Sequence, residues 1–264
     1  MQKFLIKILY FLGLFLYLPI SSMAWGMLGH RIVGEIADSY LTPKARKEIR
    51  QILGTETIAI ASNWADFIKS DTGYRYLNKW HYVDFENNLS YNEFKASLDN
   101  DKDIDAFTGL KTIIKQLKNK NLSKEKKVYY LKLLIHIAGD LHQPLHVSAA
   151  GDQGGNDIKV SWFNQPSNLH RVWDEQLIEY QQLSYTEYTA VINHPTLKQR
   201  NEWQKQPIEK WLYESYKLSE QLRGSIKREQ KLSYQYNFEY IATLNSQLLK
   251  GGVRLAGLLN KIFV

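Results

Sequence analysis

The 264-residue sequence contains no cysteine, so no disulfide can stabilise this protein. Beyond residue 24, no stretch approaches the roughly 20 consecutive apolar residues that a membrane-spanning helix needs. There is also no internal repeat, no low-complexity linker and no break in composition. A chain without cross-links must be held by its own hydrophobic core, by metal, or by both, and this length is enough for one large domain.

The first 24 residues have the pattern of a secretion signal. Lys3 and Lys7 precede an almost wholly apolar run over residues 8–20, and Ser22 and Ala24 occupy the two positions that a signal peptidase inspects. The alternative is an uncleaved membrane anchor, but the apolar run is short for a membrane span. The small residues after the run therefore favour cleavage.

We accordingly expect a signal peptide over residues 1–24 and a mature, secreted or periplasmic domain over residues 25–264, without stable membrane association. Cleavage would give Trp25 a free α-amine, and an amine close to His30 is a metal-ligand pair that an internal residue cannot supply. Removal of the two lysines in the leader lowers the formal net charge from +7 to +5. This mild basicity suits a polyanionic partner, but it also suits plain solubility.

Apolar residues at helical spacing dominate the mature chain, which predicts a mainly α fold. Thr42 and Pro43 predict a capped helix start, Gly54 a helix end and Ser123 a second cap. Pro144 should end or kink the helix that contains it. The predicted helices cover roughly residues 30–40, 43–54, 63–69, 104–117, 124–144, 167–178, 208–222 and 234–262.

A few segments depart from the helical pattern. Residues 79–85 are aromatic and β-branched and predict an extended stretch, whereas residues 158–163 predict one strand of a β-hairpin. Gly251 and Gly252 should kink the last helix. The basic, polar run over 118–127 is expected to be a solvated surface loop. The fold class predicted is all-α, as one mainly α domain with a short β-hairpin.

One segment concentrates groups that bind metals. Residues 136–146 read His-Ile-Ala-Gly-Asp-Leu-His-Gln-Pro-Leu-His. Because residues four apart on a helix share a face, His136 and Asp140 point the same way. The kink at Pro144 would let His146 turn towards a neighbouring metal.

His170 and Asp174 repeat the four-residue spacing on a second predicted helix. Together with the first segment they offer five nitrogen and oxygen donors, a mixture that zinc accepts. Any single histidine could instead be a core or surface residue with an ordinary hydrogen bond. However, six of the seven histidines lie in segments that also carry an aspartate or the new N-terminus, and only His194 is assigned to a loop without a role.

With these motifs in order along the mature chain, the sequence resembles the S1/P1 nuclease family, whose members are zinc-dependent and specific for single strands. The motifs that carry the resemblance are Trp25-Gly26 with His30 five positions on, Asn63-Trp64-Ala65-Asp66, His81-Tyr82-Val83-Asp84, the block over 136–146, Gly154-Gly155-Asn156, the run from Asn168 to Asp174, and the run from Arg254 to Asn260. Eukaryotic members are disulfide-bonded, so the absence of cysteine suggests a bacterial-type member.

The resemblance implies three zinc ions per chain. The matching ligands are Asp66, His81 and His136 for one ion, the amine and carbonyl of Trp25 with His30 for a second, Asp140 as a bridge between these two, and His146, His170 and Asp174 for a third. Each of these positions holds a residue that can bind zinc. Zinc lowers the pKa of bound water to about 7, which makes hydroxide available to attack a phosphodiester at neutral pH.

The resemblance also implies roles for residues around the metals. Asp84 would orient or deprotonate the attacking water, although an isolated aspartate is often only a helix or turn cap. Lys69 would lie near that acid and the phosphate, although its alternative interpretation is a solvated charge. Asn156 would contact phosphate, although its alternative interpretation is an ordinary Gly-Gly-Asn turn. Tyr82 matches an aromatic position of the family's base pocket. His142 is expected to support the ligands without binding metal.

The expected function is hydrolysis of single-stranded DNA and RNA to 5′-phosphate products, with 3′-nucleotidase activity on mononucleotides, by a monomer. The nearest alternative is a zinc phospholipase C, which shares the three-zinc architecture. Its first histidine ligand lies further from the tryptophan than five residues, and its last carboxylate is a glutamate, whereas this chain has Asp174. The other alternative is a non-catalytic exported protein that binds zinc or polyanions, and the acid at Asp84 argues against it.

Overall fold

A computed structural model of the protein describes residues 25–264, so the predicted signal peptide over 1–24 lies outside the described residues. In chain order the helices are α1 Met27–Ser39, α2 Pro43–Leu53, α3 Ile58–Ala61, α4 Trp64–Phe67, α5 Tyr91–Asn100, α6 Ala106–Leu117, α7 Lys124–Asp140, α8 over 169–179, α9 Tyr185–Ile192, α10 Leu197–Lys205, α11 Ile208–Ser225 and α12 Tyr234–Ile262. Short 3₁₀ helices cover Ile68–Ser70, Thr72–His81 and Pro144–His146. Among the described helices, none combines the length and apolar character needed to cross a bilayer. The predicted all-α class is confirmed.

The strands form two small sheets. β1 (Val83–Phe85) pairs in parallel with β2 (Val147–Ala149), with Asp84 opposite Ser148. The predicted hairpin is present as β3 (Lys159–Trp162) and β4 (Gln165–Asn168), which pair antiparallel, and β5 (Gln230–Leu232) adds to β3 in parallel. The β1–β2 pair matters most for the site, because β1 begins two residues after His81 and β2 begins immediately after His146.

The predicted helix signals act as expected. The Thr42 side chain accepts a hydrogen bond from the Ala45 amide with Pro43 in the first turn, and the Ser123 side chain caps α7 in the same way. Gly54 ends α2 with a φ of 70°, a left-handed conformation that glycine adopts without strain. α7 ends at Asp140, ahead of Pro144, so the proline starts a 3₁₀ turn instead of kinking the helix.

One expectation is wrong: residues 79–81 are not extended but end a 3₁₀ helix. The reason is tertiary packing of Trp80 on α6, where a Cβ at Gly109 would lie 2.9 Å from the indole.

The last helix, α12, is hydrogen-bonded to the turn between α1 and α2. The Asn260 side chain accepts a hydrogen bond from the Thr42 amide at 2.8 Å and donates one to the Tyr40 carbonyl at 3.0 Å. α7 passes through the core, and every residue from 133 to 140 is buried. The helix that carries the main metal-binding motif is therefore enclosed over its last two turns.

Candidate metal centre

Five of the predicted ligands meet in one buried cluster, called here the five-residue cluster. Its members come from α1, α4, the 3₁₀ helix before β1, and α7, and they are His30, Asp66, His81, His136 and Asp140. All five are at most 8% exposed. Their ligand atoms form two groups, each with all atoms within 4.8 Å of one another: His30 with Asp66 and His136, and His81 with His136 and Asp140.

Asp140 is at the centre of this cluster. Its Oδ1 lies 3.3 Å from His30 Nε2, and its Oδ2 lies 3.0 Å from His81 Nδ1 and 3.3 Å from His136 Nε2. The four-residue spacing thus places His136 and Asp140 on one face, as predicted. One carboxylate that faces three imidazoles has the arrangement of a bridging ligand.

Burial controls the ionisation of this cluster. It lowers the pKa of His30 and of His81 well below the usual value, and it lowers that of His136 as well. Burial, followed by repulsion from Asp66, raises the pKa of Asp140 well above its usual range. The histidines are therefore neutral, which is the form that binds metal, and the carboxylate is in an environment where it needs a cation nearby to be ionised.

Three further predicted ligands, His146, His170 and Asp174, form a separate three-residue cluster whose ligand atoms also lie within 4.8 Å of one another. His170 Nε2 is 2.8 Å and His146 Nε2 is 3.7 Å from the Asp174 carboxylate. Asp174 belongs to the π-helical turn Val172–Gln176 of α8, which is flanked by α-helical Leu169–Arg171 and Leu177–Glu179. Single π-helical turns of this kind are frequent at functional sites.

Backbone carbonyls orient both imidazoles of the three-residue cluster. The Nδ1 of His146 donates to the carbonyl of His81 at 2.7 Å, and the Nδ1 of His170 donates to the carbonyl of Gly154 at 2.7 Å. Each hydrogen bond fixes the tautomer, so that Nε2 carries the lone pair towards Asp174. Gly154 can serve because its φ is 62° and because a Cβ there would lie 2.6 Å from the Leu145 carbonyl.

Gln143 is a supporting residue that the sequence analysis missed. It is fully buried, its amide nitrogen donates to Asp174 Oδ1, and its amide oxygen accepts from the Leu145 amide at 2.5 Å. The residue expected in this role, His142, instead donates from Nδ1 to the Ala138 carbonyl at 2.8 Å. Within residues 25–264 its side chain bonds none of the predicted ligands. The position of Gln143, inside the metal-binding block and just before Pro144, was the only available signal.

The side chain of Arg254 contacts the other ring nitrogen of His142. Arg254 is fully buried, and its Nη1 lies 3.1 Å from His142 Nε2 while its Nη2 donates to Glu214 Oε2 at 2.7 Å. The network therefore links α12 and α11 to the end of α7, behind the metal ligands. Burial lowers the pKa of His142 well below its usual value, and the Arg254 charge lowers it further.

The start of the described chain lies between the two clusters. Trp25 is fully buried, and its indole nitrogen donates to the Gly139 carbonyl at 2.9 Å, next to Asp140. The Gly26 amide donates to the Asp174 carbonyl at 2.8 Å. The indole is thus anchored beside the five-residue cluster, while the next peptide is anchored to the backbone of the three-residue cluster.

Asp84 is on the strand that joins the two clusters. Its strand β1 begins two residues after His81 and pairs with β2, which begins immediately after His146. Partial burial raises the pKa of Asp84, repulsion from Asp152 raises it further, and Arg223 opposes both. Arg223 and Asp152 form an ion pair of 2.6 Å beside it.

The remaining predicted site residues surround these groups. The ammonium of Lys69 lies 2.6 Å from Asp66 Oδ1, so this lysine is not the solvated charge that its position alone suggested. The ring of Tyr82 is 42% exposed next to Asp84, and its exposure leaves a face for stacking. Asn156 follows the Gly154 turn and donates from Nδ2 to the Gln153 carbonyl at 2.8 Å. The roles assigned to these residues stay predictions.

The fold and the two clusters define a mainly helical protein with buried groups of histidine and aspartate that could hold metal ions. The chain belongs to the S1/P1 nuclease family, since the family model described as S1/P1 Nuclease matches residues 25–264. This confirms the predicted class of enzyme, a zinc-dependent endonuclease of the S1/P1 type.

Individual relatives agree with this family. Endonuclease 3 of Arabidopsis thaliana is 30% identical over 270 residues, which cover 92% of this chain and 90% of the relative. Nuclease P1 of Penicillium citrinum is 30% identical over 157 residues, or 57% of each chain. Nuclease S1 of Aspergillus oryzae is 31% identical over 165 residues, which cover 59% of this chain and 55% of the relative.

Proposed function

We propose that this protein is an exported nuclease with three zinc ions, which hydrolyses single-stranded DNA and RNA to 5′-phosphate products and removes 3′-phosphates from mononucleotides. The observation that carries the proposal is the convergence of eight histidine and aspartate side chains, from segments far apart in sequence, into two buried clusters. Relatives named as nucleases and endonucleases support the same substrate class.

The donor atoms fit zinc. His30 Nε2 and His146 Nε2 each face a predicted aspartate ligand, and both are buried and make no hydrogen bond within the described residues. Buried imidazole nitrogens and carboxylate oxygens in groups of three are the ligands that zinc takes in catalytic sites. The five-residue cluster with the Trp25 amine and carbonyl would hold two ions, and the three-residue cluster would hold the third. Bound zinc would supply positive charge for the phosphate oxygens and would make water more acidic.

The side chains around the clusters would do the rest of the chemistry. Ionised Asp84 would accept a hydrogen bond or a proton from the attacking water, which it can do because it is on the solvent-facing edge of β1. The Lys69 ammonium would hold Asp66 in place and offer positive charge to the phosphate. The exposed ring of Tyr82 would stack on an unpaired base, which a duplex does not offer, and Asn156 would bind phosphate.

The product end group tests the proposal directly. Purified protein should convert a single-stranded 20-mer of DNA or RNA into products with 5′-phosphates and 3′-hydroxyls, and a chelator should stop the reaction until zinc is restored. Asp84→Asn should lower kcat on the order of a hundredfold or more. Asp99→Asn, an exposed aspartate on α5, is the matched control and should leave kcat unchanged.

Products with 3′-phosphates would refute the mechanism. Zinc near three ions per chain without any chelator-sensitive hydrolysis would instead favour a non-catalytic zinc protein. Hydrolysis of phosphatidylcholine in preference to single strands would favour the phospholipase C alternative.

A further inference from the structure

A group of lysines gives a strong positive charge to the N-terminal end of α7, the end away from His136 and Asp140. Residues 111–127 contain seven lysines and one glutamate, in a chain whose whole formal charge is +7. Six of these lysines are exposed. Within residues 25–264, neither Lys120 nor Lys126 takes part in an ion pair. Such an uncompensated patch attracts polyanions.

Helix α7 connects this patch to the metal centre. It begins at Lys124 and ends at Asp140, so at 1.5 Å per residue its two ends are about 24 Å apart. Lys126, Tyr129 and His136 are three and seven residues apart, so they lie on one face of the helix. Lys126 and His136 are separated by about 15 Å along that face.

Aromatic rings fill the interval between the lysines and the five-residue cluster. Tyr129 packs edge-on against Trp64, with ring centres 5.7 Å apart, and its hydroxyl lies 2.5 Å from that of Tyr76. The ring of Tyr76 is 55% exposed. Phe67, one residue after Asp66 and on the same short helix as Trp64, is 80% exposed. Both exposed rings therefore belong to segments that contact α7 or carry a predicted ligand.

We propose that Phe67, Tyr76 and the lysines at the start of α7 form a path that binds single-stranded nucleic acid as it extends away from the metal centre. This inference rests on the proposed function. Exposed rings stack on bases of any sequence, and lysines neutralise the phosphates. At roughly 3.4 Å per nucleotide, the length of α7 corresponds to about seven stacked nucleotides beyond the cleaved bond. A dinucleotide is too short to reach Lys124.

The test compares a long and a short substrate. The triple variant K120Q/K124Q/K126Q should lower kcat/KM for a thymidine 20-mer about tenfold at low salt, and should leave kcat/KM for the thymidine dinucleotide unchanged. The slope of log kcat/KM against log salt for the 20-mer should become shallower by about 2. The matched control is K44Q/K47Q/R50Q, which removes the same charge from the exposed face of α2 and should change neither substrate by more than about twofold.

The aromatic part of the path has its own pair of variants. Tyr76→Ala should weaken binding of a fluorescein-labelled thymidine 20-mer by about fivefold or more, whereas Tyr76→Phe keeps the ring and should bind as the wild type does. Fluorescence anisotropy in the presence of a chelator measures this binding without hydrolysis. Wild-type protein that binds the 20-mer but cleaves nothing would overturn the proposed function and still leave the path open to this test.

Several results would overturn the path itself. Equal losses on the 20-mer and the dinucleotide would show a general effect on the site, and equal losses in the α2 control would show a response to net charge alone. Loss of binding to vesicles of anionic phospholipid, with binding of the 20-mer retained, would assign the lysines to a membrane surface instead.

Discussion

The two metal-binding clusters use the same residue types but hold them differently. In the three-residue cluster, His146 and His170 each donate a hydrogen bond to a backbone carbonyl, and Gln143 donates to Asp174. In the five-residue cluster, His136 Nδ1 donates to the Ser62 carbonyl at 2.6 Å, but His30 makes no hydrogen bond through its ring within residues 25–264 and stacks on His136 with ring centres 3.9 Å apart. Hydrogen bonds to backbone orient both histidines of the three-residue cluster, whereas in the five-residue cluster the position of His30 depends on burial and packing.

This difference indicates how each cluster tolerates change. Hydrogen bonds from supporting groups fix a ligand's tautomer and direction before metal binds. A ligand held by packing has no such guide, so its position depends on the ligands beside it. We therefore expect loss of one ligand to affect the whole five-residue cluster, while the three-residue cluster should respond locally.

The largest effect is expected at the central carboxylates. Asp140→Asn should lower kcat/KM by more than about a hundredfold, which is more than the change of a supporting residue should cause. The same variant should also lose two zinc ions per chain, because Asp140 faces three imidazoles. Asp174→Asn should remove one ion. Zinc content by mass spectrometry and kcat/KM on a 20-mer measure both, with circular dichroism as the control for folding. Equal zinc losses in the two variants would remove the distinction between the clusters.

A smaller effect is expected at the N-terminus. Protein that keeps Ala24 ahead of Trp25 has an amide in place of the α-amine and should lose one zinc ion of the five-residue cluster, with a loss in kcat/KM on the order of tenfold or more. The helical circular dichroism should not change, since the indole still bonds Gly139. Protein that begins at Trp25 is the control, and equal activity of the two forms would contradict the proposed amine ligand.

Next in size is the loss of a supporting amide. Gln143→Leu removes the donor to Asp174, so zinc affinity of the three-residue cluster should fall about tenfold while the other two ions stay bound. Gln247→Leu is the matched control: this glutamine is equally buried but donates to the His142 carbonyl and to Ser215. Titration with a zinc buffer measures the affinities. An equal loss in the Gln247 variant would mean that packing alone is responsible.

The smallest effect concerns the strand between the clusters. Partial burial and then Asp152 raise the pKa of Asp84, and the mechanism needs Asp84 ionised, so activity is lost as pH falls through that pKa. Asp152→Asn removes the repulsion, lowers the pKa of Asp84 and should move the acidic limb of the kcat/KM profile to lower pH. Asp157→Asn, on the exposed surface nearby, should leave the limb in place. A shift to higher pH would exclude Asp84 as the group that titrates.

Part of this site was predictable from short-range spacing, whereas Asp66 and His81 were assigned as ligands only through the family resemblance. The four-residue intervals of His136 with Asp140 and of His170 with Asp174 follow from helical geometry alone. The 3₁₀ helix before β1 and the packing role of Gly252 were not predictable, because Trp80 packing on Gly109 and Ile36 packing on Gly252 are contacts between distant segments. Gln143 was missed for a related reason: a glutamine has no spacing rule, and only the fold brings it to Asp174.

The contact of Asn260 with the turn after α1 has a consequence for when the protein can fold during its synthesis. The two hydrogen bonds bridge up to 220 residues, and α12 packs along the helix that carries His30. Contacts this distant in sequence form only after the intervening chain has been made. His30 therefore gains its final support when almost the whole chain has left the ribosome.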